Sequence, residues 1–272
     1  MNKHISYRSS ELLSSLNEGE KQFFSISDAI KSLPSSSYST IRKLLSDMTN
    51  RGLILRINKG LYKVIPYEKN SEEYFPNWHL VAEAMVQPHL YYIGFFSALD
   101  IHGLITQPSL VEQIVTEIQI VPKYRVIKNV KFEFITLKEN RFFGYEKTWI
   151  DDFNKIYCSN LEKTIIDCLY KPNSANGITE IIKAIYESRE KLNTGKMLEY
   201  LEKFNAQIVY KRLGFLLRHL DLFQELREEI QSKITGSYTL LDPSLPKNGK
   251  HHSQWSIIDN TGIDSAVKSI LT

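Results

Sequence analysis

The first quarter of the sequence holds side chains of the types and spacing needed to bind a polyanion. Ser36, Ser39 and Thr40 lead into Arg42 and Lys43, while Arg56, Lys59 and Lys63 alternate with apolar residues in the stretch RINKGLYKV. Guanidinium and ammonium groups meet phosphate oxygens, and an arginine can hold two acceptors of one guanine at once. Short hydroxyl side chains let a helix backbone come close to a duplex. The chemistry on offer is therefore binding, through phosphates for affinity and through base edges for sequence. Charge distribution agrees with this. Residues 1–67 hold ten Lys or Arg against five Asp or Glu, the remainder holds 24 against 26, and the whole chain is only +3.

Three helices and a hairpin would position these groups. A first helix is expected from a Ser10 cap through Leu16, and a second after Phe23-Phe24-Ser25-Ile26, capped by Ser27 and ended at Pro34. The third, from about Ser37 to Asn50, carries Tyr38, Ile41, Leu44, Leu45 and Met48 as an apolar stripe. Its other side presents Ser36, Ser39, Lys43, Ser46 and Asn50, with Thr40 and Arg42 flanking. Gly52 closes it in the left-handed conformation, and Leu53–Ile57 and Leu61–Val64 form strands about the turn Asn58-Lys59-Gly60. This order is that of a winged helix-turn-helix, in which the third helix enters the major groove and the hairpin lies on the backbone. Ser36, Ser39, Thr40, Arg42 and Lys43 are then expected to contact DNA from the helix. Arg56, Lys59 and Lys63 are expected to contact phosphates.

The fold class expected is α+β, with this module at residues 1–67, a polar linker at 68–77 and a larger mixed α/β domain at 78–272. Strand-like runs fall at Tyr91–Ile93, Gln113–Val121, Val130–Leu137, Arg141–Trp149 and Trp255–Ile258. Helical periodicity marks Leu80–Val86, Phe95–His102, Leu161–Tyr170, Ile178–Glu190, Lys196–Phe204, Ile208–Leu220 and Phe223–Lys233. Apolar residues make up 42% and charged residues 24%, a globular composition, and no apolar run reads as a signal peptide or a membrane span. Cys158 and Cys168 lie in apolar contexts, as buried thiols of a cytoplasmic protein do.

No zinc-type Cys/His spacing, H-E-x-x-H, G-x-S-x-G or phosphate-cradling G-x-x-x-x-G-K motif occurs. A DNA-binding head could deliver a nuclease, which commonly needs a carboxylate two residues before a lysine. No Asp-x-Lys or Glu-x-Lys occurs, so no catalytic residue, metal or cofactor is assigned. Glu162 and Asp167 read as capping and core-orienting groups ahead of a functional role. The loop Lys247–His252 reads equally as a contact to DNA or protein and as a solvated turn.

Four segments in order carry a resemblance: Gly60-Leu61-Tyr62-Lys63, Tyr92 through Ser97-Ala98-Leu99 to Gly103, Leu161-Glu162-Lys163-Thr164 to Leu169, and Leu241-Asp242-Pro243 to Gly249 before Trp255. This order resembles the AbiEi-type antitoxins of bacterial type IV toxin–antitoxin systems. The resemblance implies a bifunctional protein. Its winged helix would bind inverted repeats in double-stranded operator DNA and repress its own operon, and its second domain would counter a nucleotidyltransferase-type toxin. Alternative readings are a stand-alone regulator whose α/β domain binds a ligand or protein and, behind it, a DNA-processing enzyme.

Overall fold

A computed structural model describes residues 4–271, so the first three residues of the expected N-terminal module and Thr272 lie outside it. The chain has a mixed α+β fold and divides into two compact units. One comprises the described residues up to Pro88 with Ile127–Asn129, the other His89–Val126 with the residues from Val130 onward.

The first unit runs α1 (Tyr7–Glu18), β1 (Phe23–Ser25), α2 (Ile26–Ser32), α3 (Tyr38–Asn50), β2 (Ile54–Asn58), β3 (Leu61–Val64) and α4 (Trp78–Val86). The helix starts differ from the expected ones. Ser6, not Ser10, caps α1, and Ser25, not Ser27, caps α2. Several serines compete for each cap. Ser25 wins because Asp28 returns a carboxylate bond to the Ser25 backbone and closes a capping box. Against the burial that would raise it, the Lys21 ammonium first and the Ser25 bonds second hold the Asp28 carboxyl at about 2. Leu12, Leu16, Phe24, Ile41, Leu45 and Met48 form the centre of the core, each burial contributing roughly 1.5–3 kcal/mol. Helix α4 packs on β2 and so belongs with this unit, although the sequence placed residues from 78 onward in the larger domain.

β1 was not expected, and it changes the sheet. The order is β1-β3-β2, with Phe23 paired to Lys63 and Leu55 paired to Lys63 from the other side. β3 is thus a central strand rather than one arm of a free hairpin.

In the second unit a six-stranded sheet is ordered β6-β7-β5-β4-β9-β8. Its strands are β4 (Tyr91–Ile93), β5 (Val111–Thr116), β6 (Tyr124–Ile127), β7 (Val130–Thr136), β8 (Tyr145–Trp149) and β9 (Lys155–Ser159). Pairing is parallel for β5–β7 and β4–β9 and antiparallel for β4–β5 and β8–β9. The helices are α5 (Phe95–Ile101), α6 (Leu161–Tyr170), α7 (Ile178–Glu187), α8 (Thr194–Phe204), α9 (Gln207–Leu220), α10 (Gln224–Ser232) and α11 (Ile263–Leu271). A small sheet of β10 (Thr239–Leu240), β12 (Ile257–Asp259) and β11 (Lys250–His252) follows. Gly214 in α9 leaves room for the Trp255 indole. A Cβ there would stand 2.1 Å from a ring carbon, so the helix accepts the roughly 1 kcal/mol that glycine costs.

Candidate nucleic-acid interface

α3 begins at the Ser37 cap, whose side chain accepts the Thr40 N–H at 3.2 Å. Ile41, Leu44, Leu45 and Met48 are buried as expected, and Ser39, Arg42, Lys43, Ser46 and Asn50 are exposed. Ser36 precedes the helix, half-buried, with its N–H on the Leu33 carbonyl at 3.0 Å. The Ser39 and Thr40 hydroxyls are engaged at the cap, at 2.9 and 2.8 Å from the Ser37 hydroxyl. Tyr38 departs from the expected stripe. It is 57% exposed, and the Arg42 guanidinium lies 5.9 Å from its ring centroid. Among the described residues, no hydrogen bond or ion pair engages the Arg42 or Lys43 side chain.

Arg51 closes α3 and fastens it. Its guanidinium donates to the Asp47 and His4 carbonyls at 3.1 and 3.0 Å and to the Ser9 hydroxyl at 3.1 Å. Gly52, at φ +68°, then turns the chain into β2. In the β2–β3 hairpin, Gly60 takes φ +83° and the Asn58 side chain accepts the Lys59 N–H, which presents Lys59 at the tip. Arg56 and Lys59 are exposed, and no partner for either cation occurs among the described residues.

Lys63 corrects the sequence reading. It is 5% exposed, its ammonium donates to the Gln22 side chain at 2.8 Å, and it lies 5.1 Å from the centroid of the Phe23 ring. Pairing of β1 with β3 places Lys63 inside the sheet, so it is not an outward phosphate contact. Loss of hydration lowers its pKa to about 8. An unfolded lysine keeps its proton to about pH 10.4. Between those values unfolding takes up a proton, so stability rises with pH; below 8 the buried charge costs on the order of 3 kcal/mol before its hydrogen bond offsets part. Lys63→Met is therefore expected to raise stability at pH 7 by about 1–2 kcal/mol, less than that cost because the Gln22 bond is lost. Urea titrations should show the wild type gaining on the variant from pH 7 to 10. A constant difference would contradict this account.

The segments singled out in the second unit do structural work. Asn160 caps α6 by accepting the Lys163 N–H. Glu162 accepts the Asn193 N–H at 3.0 Å and pairs with Lys196 at 3.1 Å, joining α6 to the start of α8. Lys163 and Asp167 form an ion pair with no solvent exposure. Tyr92 donates to the Asp167 carboxylate at 2.8 Å and accepts from Lys163 at 2.8 Å. Burial raises the Asp167 carboxyl and lowers the Lys163 ammonium, each opposed by the other's charge. Gly144, at φ +70°, lies against this lysine; a Cβ would stand 2.9 Å from the Lys163 Cβ. Asp242 reaches the start of α7, where its carboxylate accepts the Ile178 N–H at 3.3 Å. The Arg212 guanidinium joins the Leu169 and Leu240 carbonyls at 2.7 and 3.0 Å. Cys158 and Cys168 are buried free thiols, both shifted upward by burial. No group of three His, Cys, Asp or Glu among the described residues could hold a metal ion. No helix among them is long and apolar enough to cross a membrane.

The chain is similar in fold to the RV2827C protein from Mycobacterium tuberculosis. The crystal structure of RV2827C matches with a TM-score of 0.74, covering 99% of this chain and 96% of that one. Identity is 10%, so the likeness to RV2827C concerns the fold alone. No protein-family model and no curated protein matches the chain.

Proposed function

We propose that the first unit is a winged helix-turn-helix and that the protein is a DNA-binding transcriptional repressor. The observation that carries this reading is the set of four exposed cations, Arg42, Lys43, Arg56 and Lys59, on a helix and a hairpin of one small unit. A cation that no ion pair engages among the described residues is free to replace the counterions of a phosphate. In this reading α3 lies in the major groove, with Arg42 and Lys43 at base edges or phosphates, and Arg56 and Lys59 rest on the backbone. The ordered resemblance to AbiEi-type antitoxins extends the proposal. The protein represses its own operon at inverted repeats, and its second unit counters a nucleotidyltransferase-type toxin.

Fluorescence anisotropy with the purified chain and labelled duplexes tests the first part. Binding to random duplex at about 50 mM salt, weakening steeply as salt rises, is the expected result. Absence of binding at that salt overturns it. Co-expression with a nucleotidyltransferase-like protein encoded beside this chain tests the second. Growth should be restored; persisting toxicity with both proteins present rejects the antitoxin role and leaves a stand-alone regulator.

A further inference from the structure

The start of α3 separates its polar side chains into two kinds. Ser37, Ser39 and Thr40 share a hydroxyl cluster at the helix cap, with oxygen separations of 2.8 and 2.9 Å, so their hydrogen-bonding capacity is partly spent within the protein. Tyr38 and Arg42 stand one helical turn apart and outside that cluster. The ring is 57% exposed, and the guanidinium carbon lies 5.9 Å from its centroid, within cation–π range. Asp47 is on the same helix but forms no ion pair with Arg42 among the described residues.

We propose that Tyr38 and Arg42 act as one reading unit, in which the tyrosine ring holds the Arg42 guanidinium for bidentate contact with a guanine in the major groove. This rests on the DNA-binding reading above and assigns its sequence selectivity to a specific pair. A free arginine samples many rotamers and loses them on binding; an aromatic face beside the guanidinium removes part of that loss in advance. The guanidinium then donates two parallel hydrogen bonds, to O6 and N7 of one guanine. Recognition helices bring their N-terminal residues to base edges, which is where this pair sits. Arg42 is the contacting residue and Tyr38 the positioning residue. The tyrosine hydroxyl is not required.

The test uses the full chain and a duplex enriched by the wild type from a random library, together with its single-base-pair variants and a random duplex. Wild type should prefer G·C at one position by roughly tenfold. Tyr38→Ala and Arg42→Ala should each remove that preference, the double variant should lose no more than either alone, and Tyr38→Phe should keep it. Tyr38→Ala should bind random duplex and melt as the wild type does. The inference is overturned if Tyr38→Ala retains the preference, if it weakens enriched and random duplexes equally, or if Tyr38→Phe behaves like Tyr38→Ala. If the wild type binds no duplex at all, the DNA-binding reading itself fails, a result distinct from each of these.

Discussion

Asp167→Ala is expected to lower the unfolding free energy by about 3–5 kcal/mol, a large fraction of what a domain possesses. The variant would leave the Lys163 ammonium without its counter-charge at a position with no solvent exposure. Its remaining company would be the Tyr92 hydroxyl at 2.8 Å and the rings of Tyr92, Phe143 and Phe204, whose centroids lie 5.1, 5.3 and 5.3 Å away. Those rings stabilise a cation by on the order of 1 kcal/mol each, far less than the desolvation of an unpaired charge. pH supplies a second signature. Burial already lowers the Lys163 pKa, and losing the carboxylate lowers it further. Between that folded value and the pKa of an unfolded lysine, unfolding takes up a proton, so the variant should recover stability as pH rises from 7 to 9. Urea unfolding at several pH values measures both. The double change Lys163→Met with Asp167→Leu should restore most of the loss, because two apolar groups leave no buried charge. A single variant within 1 kcal/mol of wild type would show that water reaches the pair.

Arg56→Glu with Lys59→Glu is expected to weaken binding to every duplex by roughly two orders of magnitude near 0.1 M salt. Both side chains are exposed and have no partner among the described residues, so melting should not change. If each meets one phosphate, the slope of log K against log salt should flatten by about 1.8, at about 0.9 per lost contact. Base preference should survive, since backbone contacts carry register rather than sequence. Anisotropy titrations across a salt series, on enriched and random duplexes, supply these quantities. An unchanged slope would remove the hairpin from the interface, and a loss confined to the enriched duplex would make it a base-reading element.

The elements most legible in the sequence are those with a local start and stop. β4 and α6 have the expected bounds: three apolar residues end at Gly94, and the helix lies between the Asn160 cap and Lys171-Pro172. The third helix of the first unit is likewise enclosed by Ser37 and Gly52. What stayed hidden depends on distant pairing. β1 is three residues long and passes directly into the cap of α2, so no turn announces it. Without β1 beside it, the alternation in Leu61–Val64 gives Lys63 the pattern of a surface cation. β9 follows a turn in which Asp151 accepts the Phe153 and Asn154 N–H groups, chemistry that is invisible without the fold. The expected strand from Arg141 shrinks to β8 because Gly144 breaks it at positive φ. Tyr38 has the spacing of a core residue, and periodicity alone does not distinguish the edge of an apolar stripe from its centre.

The pairing of Ile93 with Cys158 sets an order of events during synthesis. β4 lies near the centre of the six-stranded sheet, yet its parallel neighbour β9 leaves the ribosome only after β5, β6, β7 and β8. Until then one side of β4 has no ladder, and its N–H and C=O groups await a partner that does not yet exist. The helices and three-stranded sheet of the first unit draw on residues emitted before β4. The nascent chain thus acquires its proposed DNA-binding portion first, while its larger portion waits, with a hydrophobic strand edge open to chaperones or to misassembly.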